Sequence, residues 1–214
     1  MAETGQSIGP WPIDRIRSAL RAIPDGLEAI EGDGTHEDRL AAQARMGRRL
    51  RPAAVIMLLN DHGDGAPRLV LTQRSAHLAD HPGQISLPGG REEPEDSGPE
   101  AAALREAAEE IGADCGRIEI LGRLPRYVTI TAFDITPVVA ATRGQRWRPD
   151  PHEVADVFEL PLAYLLDDAH WRRDRLWREG RLREYWAIPW RERYIWGATA
   201  GILRTFRNLL VATR

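Results

Sequence analysis

Lysine is absent from this 214-residue chain: all 29 basic residues are arginine, set against 32 acids, for a formal net charge of −3. Without a lysine amine, Schiff-base chemistry and the lysine-dependent phosphate grip of P-loop enzymes are excluded. A near-neutral balance also excludes an overall basic nucleic-acid binder, which shows a clear cationic excess or a basic stripe. Cysteine is almost absent as well. Cys115 alone cannot close an internal disulfide, so nothing implies secretion. Long hydrophobic runs are missing too: Ala53 to Leu59 is the longest, far short of the ~20 residues of a membrane span. Met1 to Trp11 has neither the positive n-region nor the apolar h-region of a signal peptide. The expectation is a cytoplasmic protein with no membrane or nucleic-acid partner. What is present, 43% hydrophobic and 29% charged residues, is the composition of a globular chain. The length fits one domain with elaborations.

Periodicity predicts the elements. Trp11 to Arg21 carries Ile13, Ile16 and Leu20 at helical spacing and ends at Pro24-Asp25-Gly26. His36 to Leu50 reads as a second helix, so residues 1–50 form an N-terminal helical segment and 51–214 the main domain. Ala53 to Asn60 and Arg68 to Gln73 read as a hairpin around a turn-rich loop. Residues 74–98 are irregular, with Pro-Gly and Gly-Gly breaks, and such stretches inside compact domains are usually functional. A helix follows, with Ser97 as N-cap, Pro99 in its first turn and Gly112 as its left-handed stop. Strands are expected over Arg117–Leu124, Ile135–Ala141 and Val154–Leu160, then a short helix over Pro161–Leu166. Leu176 to Ile188 reads as a hairpin turning at Gly180-Arg181, and Trp196 to Ala212 as an amphipathic helix. The fold class is α+β, or a mixed α/β sandwich.

The chemistry concentrates in Leu104-Arg105-Glu106-Ala107-Ala108-Glu109-Glu110-Ile111-Gly112. At ~100° per residue, Glu106, Glu109 and Glu110 crowd one side of the last turn and a half. Ala101, Ala102, Leu104, Ala108 and Ile111 supply the packing face. Like charges at these spacings cost roughly 0.2–0.5 kcal/mol per pair. Acids at the negative helix end cost about a further 0.3–1 kcal/mol each. Taken alone, this is also what a solvated acidic face looks like, with Arg105 pairing with Glu109 and offsetting one acid of the three. A divalent metal reverses the sign: hard oxygen ligands suit Mg²⁺ or Mn²⁺. The preceding Pro88-Gly89-Gly90 permits close backbone approach, and phosphate chemistry needs metal, a water-positioning acid and backbone donors together. No G-x-S-x-G elbow surrounds Ser86 or Ser97, and no histidine neighbours Cys115, so nothing suggests covalent catalysis.

Gly90 to Gly112 resembles the Nudix box, of general form G-x5-E-x7-R-E-U-x-E-E-x-G-U with U aliphatic. Arg105, Glu106, Ala107, Glu109, Glu110 and Gly112 match; one extra residue lies before Arg105, and the early acid falls on Asp96. That spacing is similar to the coenzyme A pyrophosphatase branch, whose upstream motif is L-L-T-x-R-S-x3-R-x3-G-x3-F-P-G-G. Here it reads Val70-Leu71-Thr72-Gln73-Arg74-Ser75, then Gly83-Gln84-Ile85-Ser86-Leu87-Pro88-Gly89-Gly90, with Ala79 at the arginine position and Leu87 at the phenylalanine. The resemblance extends over roughly Ala53 to Leu203. It implies an α/β/α sandwich around a mixed sheet, and Mg²⁺- or Mn²⁺-assisted attack of water on a diphosphate. The implied metal ligands are Glu106, Glu109 and Glu110, with Glu109 sharing the metal or its water and Arg105 pairing with a box-loop acid. Arg74, Ser75, Gly89 and Gly90 would meet substrate. Coenzyme A or an acyl derivative would yield adenosine 3′,5′-bisphosphate and a 4′-phosphopantetheine product; an ADP-sugar, a dinucleotide, or nucleotide sensing without turnover are the other readings.

Other residues have bland readings beside sharp ones. Glu153, in Pro149-Asp150-Pro151-His152-Glu153, is a candidate acid or base, or else a solvated loop acid. His77 and His81 are better read as loop histidines than as a metal pair, since Pro82-Gly83 interrupts the segment and no third ligand is evident. The tryptophans from Trp171 to Trp196 could stack one adenine, but most would be core or dimer surface, which leaves a homodimer open. Arg172, Arg173 and Arg175 could draw a 3′-phosphate or simply solubilise a hairpin.

Overall fold

The computed structural model describes residues 11–23, 50–78, 80–129, 131–178 and 181–213. The helix expected over His36–Leu50 lies outside them but for Leu50, and Ala79 and Gly180 lie outside them too. Among the described residues no helix is long and apolar enough to cross a membrane.

The long apolar strand β1 (Arg51–Asp61) organises the molecule. It runs parallel to β7 (Phe133–Arg143) through eleven registered pairs, from Arg51↔Phe133 to Asp61↔Arg143. Parallel pairs are covered on both faces, which explains why β1 reads as a continuous apolar run and not as an alternation. Ala54, Ile56 and Leu58 face one helix layer, and Met57 and Leu59 the other; all five are fully buried. The sheet order is β3-β2-β1-β7-β5, where β2 is Arg68–Arg74, β3 Ile85–Ser86 and β5 Glu119–Arg123. Off that path, β4 (Gly89–Arg91) pairs with β1, β6 (Tyr127–Val128) with β7, and β8 (Val154–Pro161) with β2. Helix α2 (Pro99–Ile111) packs on one face through Ala102, Ala103, Ala107 and Ile111. On the other face lie α1 (Ile13–Arg21) and the C-terminal helix α4 (Gly197–Ala212), through Ile16, Leu20, Phe206 and Leu210. The result is the expected α+β class, a mixed sheet between helical layers.

A short helix α3 (Leu162–Leu166) and a second sheet complete the fold, with strand order β11-β10-β9. The expected hairpin is β9 (Arg172–Arg178) with β10 (Arg181–Trp190), and β11 (Arg193–Trp196) adds to it as a strand the sequence did not announce.

Three expectations need correction. Ser97 does not cap α2: the N-cap is Gly98 at φ 146°, without a side-chain cap, and Pro99 opens the helix. Backbone geometry outside the range of L-residues places the boundary there, one residue beyond the serine. The stretch 74–98 is not wholly irregular, since β3 and β4 lie within it; two or three residues are too few to show a period. The packing face of α2 includes Ala103 and Ala107, whereas Ala108 is exposed.

Candidate active site

Glycine chemistry at β4 fixes the position of the acidic helix. Gly89 has φ 148°, and a Cβ there would lie 2.3 Å from the Ala54 carbonyl oxygen. A Cβ on Gly90 would lie 2.3 Å from Oε1 of Glu106. The β4 backbone therefore fits between β1 and the α2 carboxylates only because both side chains are missing. The Gly89 N–H donates to Oε2 of Glu110 at 3.1 Å.

The three box glutamates, alike in sequence, have different surroundings. Glu110 is buried at 4% exposure. Burial is the main force pushing its carboxyl up to about 8, and Glu106 and Glu153 add to it; the Gly89 N–H and Arg74 pull the other way. Glu106 is half-buried and also raised, first by burial and then by Glu109 and Glu153, with Arg105 opposing. Glu109 lies outward, its side chain 59% exposed. Glu153 is exposed on its loop, and its charge still bears on both Glu106 and Glu110.

Arg105 holds this cluster to its loop. Its guanidinium donates to both carboxylate oxygens of Asp96 (3.2 and 3.1 Å), to Glu106 and Glu109 (3.0 Å each) and to the Arg91 carbonyl (3.0 Å). Arg105 thus serves three acids, more than the one that its i,i+4 spacing suggests, because a planar fork presents several donors at once. The Asp96 contact raises the Arg105 pKa, and the same contact holds the Asp96 carboxyl below the usual range.

The helix end is closed by a distant loop. Gly112 is left-handed (φ 62°, ψ 34°), its N–H bonds to Ala108, and the Ala113 N–H reaches Ala107. Two further carbonyls, of Ile111 and Glu110, accept the N–H groups of Arg148 (2.8 Å) and Asp150 (3.0 Å). The segment that carries Glu153 is therefore docked on the acidic helix through backbone bonds. No side-chain pattern announces such a contact.

Arg74 ends β2 within electrostatic reach of Glu110, just past an irregularity of register between Gln73 and Arg74. Ser75 is buried, and its hydroxyl donates to the Pro151 carbonyl. Nε2 of His77 bonds to the His152 carbonyl at 3.0 Å, and His81 has φ 55°. Among the aromatics, Trp171 is buried with its ring edge-on to Trp186; the half-buried Trp190 meets Tyr164 edge-on, and the half-buried Trp196 is tilted against Tyr185. Arg173 and Arg175 both pair with Glu184, so part of that cationic cluster is neutralised.

Among the described residues no group of three His, Cys, Asp or Glu side chains is gathered closely enough to hold a metal ion by itself. The donor set nonetheless suits Mg²⁺ or Mn²⁺. Such ions retain water and share substrate phosphates, using one or two carboxylates, and buried Glu110 with half-buried Glu106 form a pair whose mutual repulsion a cation relieves.

The same region is similar to known proteins. The NUDIX domain family matches residues 49–179. The "Uncharacterized Nudix hydrolase NudL" of Salmonella paratyphi B is 41% identical over 140 residues, 64% of this chain and 72% of the relative, and its counterpart in Salmonella newport matches equally. Among solved structures, a Nudix hydrolase from M. smegmatis, RenU, shares 22% identity over 52% of this chain and 70% of its own, with TM-score 0.44. The NUDIX domain of Shewanella oneidensis NrtR, complexed with ADP ribose, shares 25% identity over 62% of this chain and 86% of its own, with TM-score 0.43. A family whose matched span takes in the whole carboxylate helix, the glycines beneath it and the docked Glu153 loop leaves one assignment: the chain belongs to the Nudix hydrolases, enzymes acting on nucleoside diphosphate derivatives.

Proposed function

We propose that this enzyme hydrolyses the diphosphate of coenzyme A or acyl-coenzyme A, releasing adenosine 3′,5′-bisphosphate and (acyl-)4′-phosphopantetheine. The observation that carries the reading is the Glu106 and Glu110 pair beside Gly89-Gly90, with Arg74 and Glu153 within electrostatic reach. The upstream run from Val70 to Gly90 supplies the substrate preference. Glu106 and Glu110 would hold Mg²⁺ or Mn²⁺, with exposed Glu109 sharing the metal or its water. When bound, the cation neutralises and polarises the diphosphate. Arg74 at the β2 end meets a phosphate oxygen, and the Gly89-Gly90 backbone lets substrate approach closely. Glu153 accepts the proton of the attacking water. One P–O bond forms to that water as the bridging P–O bond breaks, so one water is consumed per diphosphate. Arg105 keeps the acids and the box loop in register.

Ala79, where the coenzyme A motif has arginine, favours a second reading: an ADP-sugar or a dinucleotide as substrate. A panel of diphosphates incubated with Mg²⁺ or Mn²⁺ and resolved by chromatography separates the two. We expect turnover of coenzyme A with release of the bisphosphate nucleotide; hydrolysis of ADP-ribose but not coenzyme A would refute the preferred substrate. Glu110→Gln should lose roughly 10²-fold or more of kcat, the scale of a lost ligand to the charge-stabilising cation. Its melting temperature in chelator should hold, because burial already favours the neutral acid.

A further inference from the structure

The serine of the Arg74-Ser75 pair does not face solvent. At 3% exposure it is no open substrate contact, and both of its donors, the N–H and the hydroxyl, go to one loop. Its N–H donates to the Glu153 carbonyl (2.8 Å) and its hydroxyl to the Pro151 carbonyl (3.0 Å). Two residues on, Nε2 of His77 donates to the His152 carbonyl (3.0 Å). Three consecutive carbonyls of the 151–153 loop are thus held by one turn, at the point where β2 breaks register. From the opposite side, Arg148 and Asp150 bind the end of α2. Within the loop, Asp150 accepts the N–H groups of His152 and Glu153. Glu153 therefore projects from a segment clamped between the acidic helix and the Ser75 turn.

We propose that Ser75, assisted by His77, is a positioning residue that fixes Glu153 against Glu106 and Glu110. The Arg74-Ser75 dipeptide then divides its work: the arginine serves substrate and the serine serves the loop that carries the acid. This inference rests on Glu153 taking part in catalysis. Misplacing a reacting group by about 1 Å can lower a rate ~10²-fold, and one lost hydrogen bond shifts the loop by less. Ser75→Ala should accordingly lower kcat about tenfold with KM changed less than twofold, and Ser75→Thr, which keeps the hydroxyl, should recover most of it.

The decisive experiment is a double-mutant cycle, with steady-state kinetics on coenzyme A and Mg²⁺, or on ADP-ribose if the panel selects it. In a Glu153→Gln background, Ser75→Ala should add nothing to the loss in kcat. Fully multiplicative losses, or a raised KM with kcat intact, would overturn the positioning role and make Ser75 an independent contact. If Glu153→Gln alone retains wild-type kcat, Glu153 is no catalytic group and the role assigned to Ser75 falls with it; that single variant tells the two failures apart. Should Ser75→Ala melt below assay temperature, exposed His77→Ala carries the same cycle, with the same fall in kcat expected and the same multiplicative result refuting it.

Discussion

Gly89 and Gly90 are neighbours in β4, yet the side chains they lack would meet different things. At Gly89 a methyl group would strike the backbone of β1, 2.3 Å from the Ala54 oxygen and 2.6 Å from the Val55 Cα, at a φ that L-residues rarely adopt. The dihedral alone costs roughly 1–3 kcal/mol, and backbone cannot move aside. At Gly90 the obstacle is the carboxylate of Glu106, which can swing away. Gly89→Ala should therefore lower the melting temperature severely. Gly90→Ala should stay folded and lose activity, because Glu106 is displaced from Glu110. Thermal melts and kinetics on the two variants check this, and equal behaviour of the pair would refute it. The glycines and glutamates were legible in the sequence, but the depth to which each acid is buried was not. Glu109 and Glu110 are adjacent, so only ~100° of helix rotation separates an exposed acid from a buried one, and the docked sheet decides which is which.

At the scale of the element, α2 is held by Arg105 more than by its own caps. The helix has no side-chain N-cap, and its loop is fastened through the two Asp96 contacts. Arg105→Ala should destabilise the fold by about 1–3 kcal/mol, the range for losing charge-assisted hydrogen bonds, and should lower kcat. Arg105→Lys should not restore either, since an ammonium cannot span Asp96, Glu106 and Glu109 together. The pH dependence has a definite sign. Arg105 holds the Asp96 carboxyl below its unfolded value of about 3.9. The stabilisation is thus complete above that value and disappears as pH falls through the lower folded one. Melting curves of wild type and Asp96→Ala should differ most near neutrality and converge toward acid. A gap that widens on acidification would contradict the assignment. Asp96 and Arg105 were both visible as box residues. The Gly98 boundary was not, because a backbone dihedral leaves no trace in residue type when a plausible serine cap stands beside it.

For the molecule as a whole, the parallel β1–β7 pair demands cover on both faces, and each helical layer meets that demand differently. The α2 layer uses alanines, which let the carboxylates come close to the sheet. The α4 layer uses large side chains with a glycine buried among them: Gly201 lies where a Cβ would stand 2.5 Å from the Tyr127 hydroxyl and 2.8 Å from its ring. Tyr127 is 1% exposed and has no room to retreat. Gly201→Ala should therefore cost about 1–3 kcal/mol through overpacking, although alanine is the better helix former by about 1 kcal/mol. The two terms oppose, and the clash with a fully buried ring is the larger. Because α4 and α2 cover opposite faces, the loss should appear in the melting temperature while kcat, measured well below the transition, stays within about twofold of wild type. A stabilised Gly201→Ala protein would show that the α4 layer is loosely packed, and a loss of kcat in the folded variant would show that the two faces are coupled through β1.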